Sequence, residues 1–73
     1  LPRKKREIRR DFRRAGFSER QGKGSHKVYH HPFLKYNYTV AGQDGDDALK
    51  YDEDNLRDAM ALLEAAKRER GQS

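Results

Sequence analysis

Apolar residues recur along this chain at two spacings, and the change of spacing divides it into five elements. Ile8, Phe12 and Ala15 stand at i, i+4 and i+7, the period of one buried helical stripe. Arg3, Arg6, Arg10, Arg13 and Arg14 fall on the opposite side of the same wheel. The pattern predicts a first helix over residues 2–15, with Pro2 tolerated in its first turn. Gly16 suits the left-handed position that ends a helix, and Phe17 can fold back as the apolar contact of a Schellman stop. The period then shortens. Residues 17–21 read as a short strand, Gly22-Lys23-Gly24 as a turn, and residues 26–31 as a second strand carrying Val28 and Tyr29. Residues 36–40 alternate aromatic or apolar with polar side chains and predict a third strand. After a polar loop over residues 42–47, the helical period returns at Leu56, Ala59, Met60 and Leu63, extended by Ala66. Asp52 is the expected N-cap of this last helix, with Glu53 and Asp54 near its positive end and Lys67, Arg68 and Arg70 at its negative end. Residues 71–73 are expected to fray.

The order helix, three strands, helix predicts an α+β fold. Short connections favour an antiparallel meander, and two amphipathic helices suffice to cover one face of a three-stranded sheet. The other face is left to solvent or to a ligand. Seventy-three residues make one domain with a thin core, for which marginal stability is expected.

Charge adds an asymmetry that the periodicity does not show. The first forty residues hold twelve Lys and Arg against three Asp and Glu, whereas residues 41–60 hold two against seven. The basic half suits a polyanion such as RNA or DNA. Its plainer reading is a solvated helix face. The acidic segment would repel nucleic acid locally or bind a basic partner. No cysteine is present, which excludes disulfides and cysteine zinc sites and fits a reducing cytoplasm. No apolar run approaches a membrane span or the core of a signal peptide. A soluble cytoplasmic protein without membrane partners is the expectation.

The candidate chemistry lies in Gly22-Lys23-Gly24-Ser25-His26-Lys27-Val28-Tyr29-His30-His31-Pro32. Histidine has the unperturbed pKa nearest neutral pH. His26, between lysines and beside flexible glycines, is placed to move a proton next to a phosphate. Lys23 and Lys27 can stabilise charge on that phosphate, and the N–H groups of Gly24 and Ser25 can cradle its oxygens as an anion nest. On an ideal strand His26, Val28 and His30 share one face, while Lys27, Tyr29 and His31 share the other. His30 is therefore the candidate second proton carrier, unless Val28 points to the core. His30 and His31 face opposite ways and lack a completing carboxylate or cysteine set, so no metal site is expected there. Asp44-x-Asp46-Asp47 lacks the spacing and terminal glutamate of an EF-hand. Tyr29, Tyr36 and Tyr38 can stack bases if they lie on the open face, or pack the sheet. Arg6, Arg10 and Arg13 on the first helix are candidate phosphate contacts, or a docking face for an acidic protein.

The Gly-Lys-Gly-Ser-His run, the later His31-Pro32, and the upstream ending Arg14-Ala15-Gly16-Phe17 together resemble the HicA family of bacterial toxins. The resemblance covers roughly residues 3–40, and the final helix by position only. It implies the α-β-β-β-α fold of double-stranded RNA-binding domains. It also implies an endoribonuclease acting on mRNA, a HicB-like antitoxin as protein partner, and His26 as the catalytic residue, with no cofactor. The second half departs from the pattern, with an acidic segment from Gln43 to Asp54 and a long alanine-rich helix. Two other readings stand beside this one: a non-catalytic RNA-binding module of the same fold, and a protein-interaction domain using the acidic loop and last helix.

Overall fold

A computed structural model describes residues 2–71. It contains α1 (Lys5–Arg14), β1 (Ser18–Gln21), β2 (Lys27–His30), β3 (Tyr38–Val40) and α2 (Lys50–Glu69). The three strands form one antiparallel sheet in the order β1-β2-β3. The predicted α+β architecture, α-β-β-β-α with both helices on one sheet face, is the one observed.

α1 starts three residues later than the periodicity predicted. Residues 2–4 are extended rather than helical: Lys4 bridges to Asp47, and the Ala48 N–H donates to the Arg3 carbonyl. The first helical turn is closed by Glu7, whose carboxylate accepts the Lys4 N–H at 2.8 Å. The other end follows the Schellman pattern. Gly16 takes φ +96°, its N–H donates to the Arg13 carbonyl, and the Phe17 N–H reaches the Phe12 carbonyl at 3.1 Å.

α2 corrects a second boundary. It begins at Lys50 with Leu49 at the N-cap, so Asp52 lies two residues inside the helix rather than capping it. From there Asp52 Oδ2 still accepts the Leu49 N–H at 2.8 Å, the backward half of a capping box. The cap function is kept and its position shifts. The strands are shorter than expected, because Phe17, His26, His31, Tyr36 and Asn37 lie outside the ladder.

The core sits between the sheet and the helices. Ile8, Phe12, Phe17, Tyr29, Tyr38, Val40, Leu56, Ala59 and Leu63 are buried, with Ala15 and Met60 packed against them. Phe12 stacks on Tyr29 at 4.8 Å between ring centroids and meets Phe17 edge-on at 5.2 Å. Tyr29 and Tyr38 are thus packing residues, and only Tyr36 of the three strand-region tyrosines is exposed. Tyr29 facing the core puts its neighbours Val28 and His30 on the open face. Gln72 and Ser73 of the tail expected to fray lie outside the described residues.

Candidate functional site

The β1–β2 hairpin carries the candidate chemistry at its tip. The His26 N–H donates to the Lys23 carbonyl at 3.0 Å, and the Gly22 N–H to the His26 carbonyl at 2.8 Å. Gly24, at φ +57°, supplies the positive φ that the turn needs at its first central position. Gln21 braces the tip from the strand, its side-chain amide donating to the Gly24 carbonyl at 2.7 Å. Neither Gly24 nor Ser25 donates its N–H to another described residue.

His26 is exposed. Its Nδ1 lies 2.5 Å from the Lys23 carbonyl oxygen. A carbonyl only accepts, so this contact places a proton on Nδ1, and Nε2 makes no hydrogen bond among the described residues. A Cβ built at Gly22 would meet His26 Cβ at 3.1 Å and Val28 Cγ2 at 3.4 Å, which puts these side chains on one face. His26 and His30 therefore share the open face. Four residues of extended chain separate them by about 13 Å, too far to serve one phosphate directly. His30 pairs with Asn37 at 2.9 Å instead. Arg20, opposite Val28 in the register, is exposed on the same face.

His31 lies apart from these two. Its ring is buried between Phe17 and Phe33, and its Nδ1 accepts the Phe33 N–H at 3.0 Å. Burial lowers its pKa below the ordinary value, helped by the positive charges of Lys67, His30 and Arg70. This is a neutral packing histidine.

On the helix side of the tip lies a cleft of about 340 Å³, lined by Arg9, Gln21, Gly24, Ser25, Lys27, Gly42, Gln43 and Asp44. Three of the predicted phosphate contacts, Gly24, Ser25 and Lys27, meet there. Lys23 and His26 do not line it. The tip is thus a ridge, with His26 on the open-sheet side and the cleft on the other.

Arg9 organises the cleft. Its side chain is only 5 % accessible. Nη2 donates to the carbonyls of Ser25, Val40 and Gly42 at 3.0, 2.9 and 2.7 Å, and Nη1 to Asp44 at 2.6 Å. Ser25 Oγ in turn accepts the Gly42 N–H at 2.8 Å. The hairpin and the β3–α2 loop are therefore tied together by one guanidinium and one hydroxyl.

The acidic segment is explained by α1 and the extended residues that lead into it. Asp44 pairs with Arg9, Asp47 with Lys4, Asp52 with Lys5, and Glu53 with Arg3. Asp46 accepts the Gln43 N–H at 2.9 Å, closing its own loop. Of the predicted helix contacts, Arg10 pairs with Asp11 and Arg13 with Glu19, while Arg6 is exposed with no ion-pair partner among the described residues. Burial tends to raise the pKa of Asp11, but hydrogen bonds from Arg3 and Arg10 outweigh it and hold the carboxyl below its usual value. Glu19 is also held low, by the Tyr29 hydroxyl and Arg13 against partial burial.

No protein-family model, no curated protein and no solved structure matches the chain. The functional reading therefore rests on the residues themselves. Sequence reasoning missed Arg9, Gln21 and Asp44. A signal for Arg9 was present: Lys5, Ile8, Arg9 and Phe12 together make the full i, i+3, i+4, i+7 stripe. Two cations inside a buried stripe require hydrogen-bonding partners from the rest of the fold. Among the described residues no helix is long and apolar enough to cross a membrane.

Proposed function

We propose that this chain is a small metal-independent endoribonuclease in which His26 is the acid–base residue. The reading also takes messenger RNA as substrate, a HicB-like antitoxin as partner and the cytoplasm as the place of action, as the resemblance in residues 3–40 implies. The observation that carries it is the state of His26: an exposed imidazole whose Nδ1–H is held by the Lys23 carbonyl and whose Nε2 is open.

RNA brings its own nucleophile. Nε2 takes the proton of a 2′-hydroxyl, the 2′-oxygen attacks the adjacent phosphorus, and the bond to the 5′-oxygen breaks. The leaving oxygen takes a proton from water or from the His26 imidazolium. The products are a 2′,3′-cyclic phosphate and a 5′-hydroxyl end, and no electrons change hands. Positioned acid–base catalysis of this kind contributes roughly 10²–10⁴-fold. In this reading the free N–H groups of Gly24 and Ser25 donate to phosphate oxygens, and Lys23 supplies positive charge at the same turn.

The test is cleavage of a labelled RNA with chelator present. His26→Ala should lose at least about 10²-fold in rate, and the unmutated protein should leave 5′-hydroxyl ends. Equal cleavage by both proteins, or 5′-phosphate ends, would sink the assignment. The separation of His26 from His30 favours one alternative, a non-catalytic RNA-binding module. RNA binding that survives His26→Ala, with no cleavage by either protein, would select it.

A further inference from the structure

We infer that the cleft behind the hairpin is a second phosphate subsite for a single-stranded RNA, and that Asp44 occupies it in the free protein. The inference rests on the ribonuclease reading for the identity of its ligand, but not for the existence of the site.

Arg9 is built into the fold as a fixed donor. It is more than nine-tenths buried, and three backbone carbonyls hold Nη2 in place. Nη1 is turned toward a carboxylate that is itself 69 % accessible. Nε finds no partner among the described residues. A buried cation whose sole counter-charge among the described residues stands in solvent is an unusual arrangement for a purely structural pair, because buried charges are ordinarily paired within the interior. It is the arrangement expected of an anion site with an internal occupant. Carboxylate and phosphate present the same acceptor chemistry to a guanidinium.

The rest of the lining fits a nucleotide. Lys27 adds a second cation with no ion-pair partner among the described residues. Gln43 offers a side-chain amide, and Gln21, whose Nε2 is held by the turn carbonyls, an amide oxygen, to sugar or base edges. A volume of about 340 Å³ lies at the small end of ligand pockets, as one nucleotide requires. Gly24 and Ser25 belong both to this cleft and to the turn that holds His26. A strand crossing the ridge therefore sets one phosphate at His26 and a flanking one at Arg9 and Lys27, in place of the Asp44 carboxylate. Asp44 acts as a competitor, and Arg9 and Lys27 as binding residues.

The test measures binding without cleavage, using a fluorescent oligonucleotide methylated at every 2′-hydroxyl and read by anisotropy at low salt. Asp44→Asn should tighten binding by about five-fold, and Lys27→Gln should weaken it by about three-fold. Asp47→Asn makes the same change of charge three residues away, at a carboxylate paired with Lys4 outside the cleft. It should give less than half the Asp44 effect. Equal gains from the two asparagine variants would mean general electrostatics and would overturn the subsite, as would no gain from Asp44→Asn. Cleavage of unmodified RNA is assayed separately. Its absence, with the binding differences intact, would remove the ribonuclease reading and leave the subsite standing.

Discussion

Three histidines lie within six residues, yet their surroundings give them three different characters. His26 is held by a carbonyl at the turn, His30 pairs with Asn37, and His31 is enclosed by two phenylalanine rings. His31 Nδ1 accepts an N–H, so adding a proton there sets a donor against a donor. Its folded pKa is lowered while its unfolded value stays near 6.5. Above that pH neither state is protonated and His31 contributes no pH dependence. Below it the unfolded chain takes the proton first, so stability falls with pH until the folded pKa is reached. Urea midpoints between pH 7 and pH 5 should show this slope, and His31→Gln, which keeps an acceptor for the Phe33 N–H, should flatten it. An unchanged slope in the variant would place the titration elsewhere. The carboxylates held low, Asp11, Glu19 and Asp54, add a separate loss at more acidic pH, as each is protonated.

At the level of elements, the two ends of α1 differ in how they are made. The C-terminal end depends on the left-handed backbone of Gly16. A Cβ there would meet only His31 ring atoms, at 3.6 and 3.8 Å, which is ordinary contact. The cost of Gly16→Ala therefore comes from φ alone, about 1 kcal/mol, or a drop of about 5 °C in Tm for a domain of this size. Gly45→Ala, with open space and no positive φ, should leave Tm nearly unchanged. Equal effects of the two would contradict the Schellman stop. This end was legible in the sequence because Gly16 and Phe17 are local signals. The N-terminal boundary was not, because residues 2–4 take their extended form from a bridge to Asp47, more than forty residues away. Asp52 misled for a related reason: its side chain does cap α2, but from inside the first turn, and it also pairs with Lys5 at 3.0 Å. The hairpin was legible as a turn with His26 at its end. The cleft was not, because its lining joins the hairpin, three residues of the β3–α2 loop and Arg9 of α1, elements whose meeting no local spacing records.

For the molecule as a whole, the basic first half and the acidic second half are two parts of one internal structure. Arg3, Lys4, Lys5 and Arg9 are each matched to a carboxylate between Asp44 and Glu53. This has a thermodynamic consequence for any single-stranded nucleic acid that binds. Affinity for such a ligand comes largely from releasing the counterions condensed on its phosphates, one for each cation that takes their place, with log K falling about 0.7 per contact as log salt rises. A cation held by an internal carboxylate is not free to take a counterion's place. The twelve Lys and Arg of the first forty residues would suggest a slope near −8. Arg20, Lys23 and Lys27, exposed or half-exposed around the hairpin and absent from the ion pairs, together with Arg9 once a phosphate replaces Asp44, predict a slope of about −3. A titration from 50 to 200 mM salt distinguishes the two, and a slope steeper than about −5 would mean that the internal pairs open on binding.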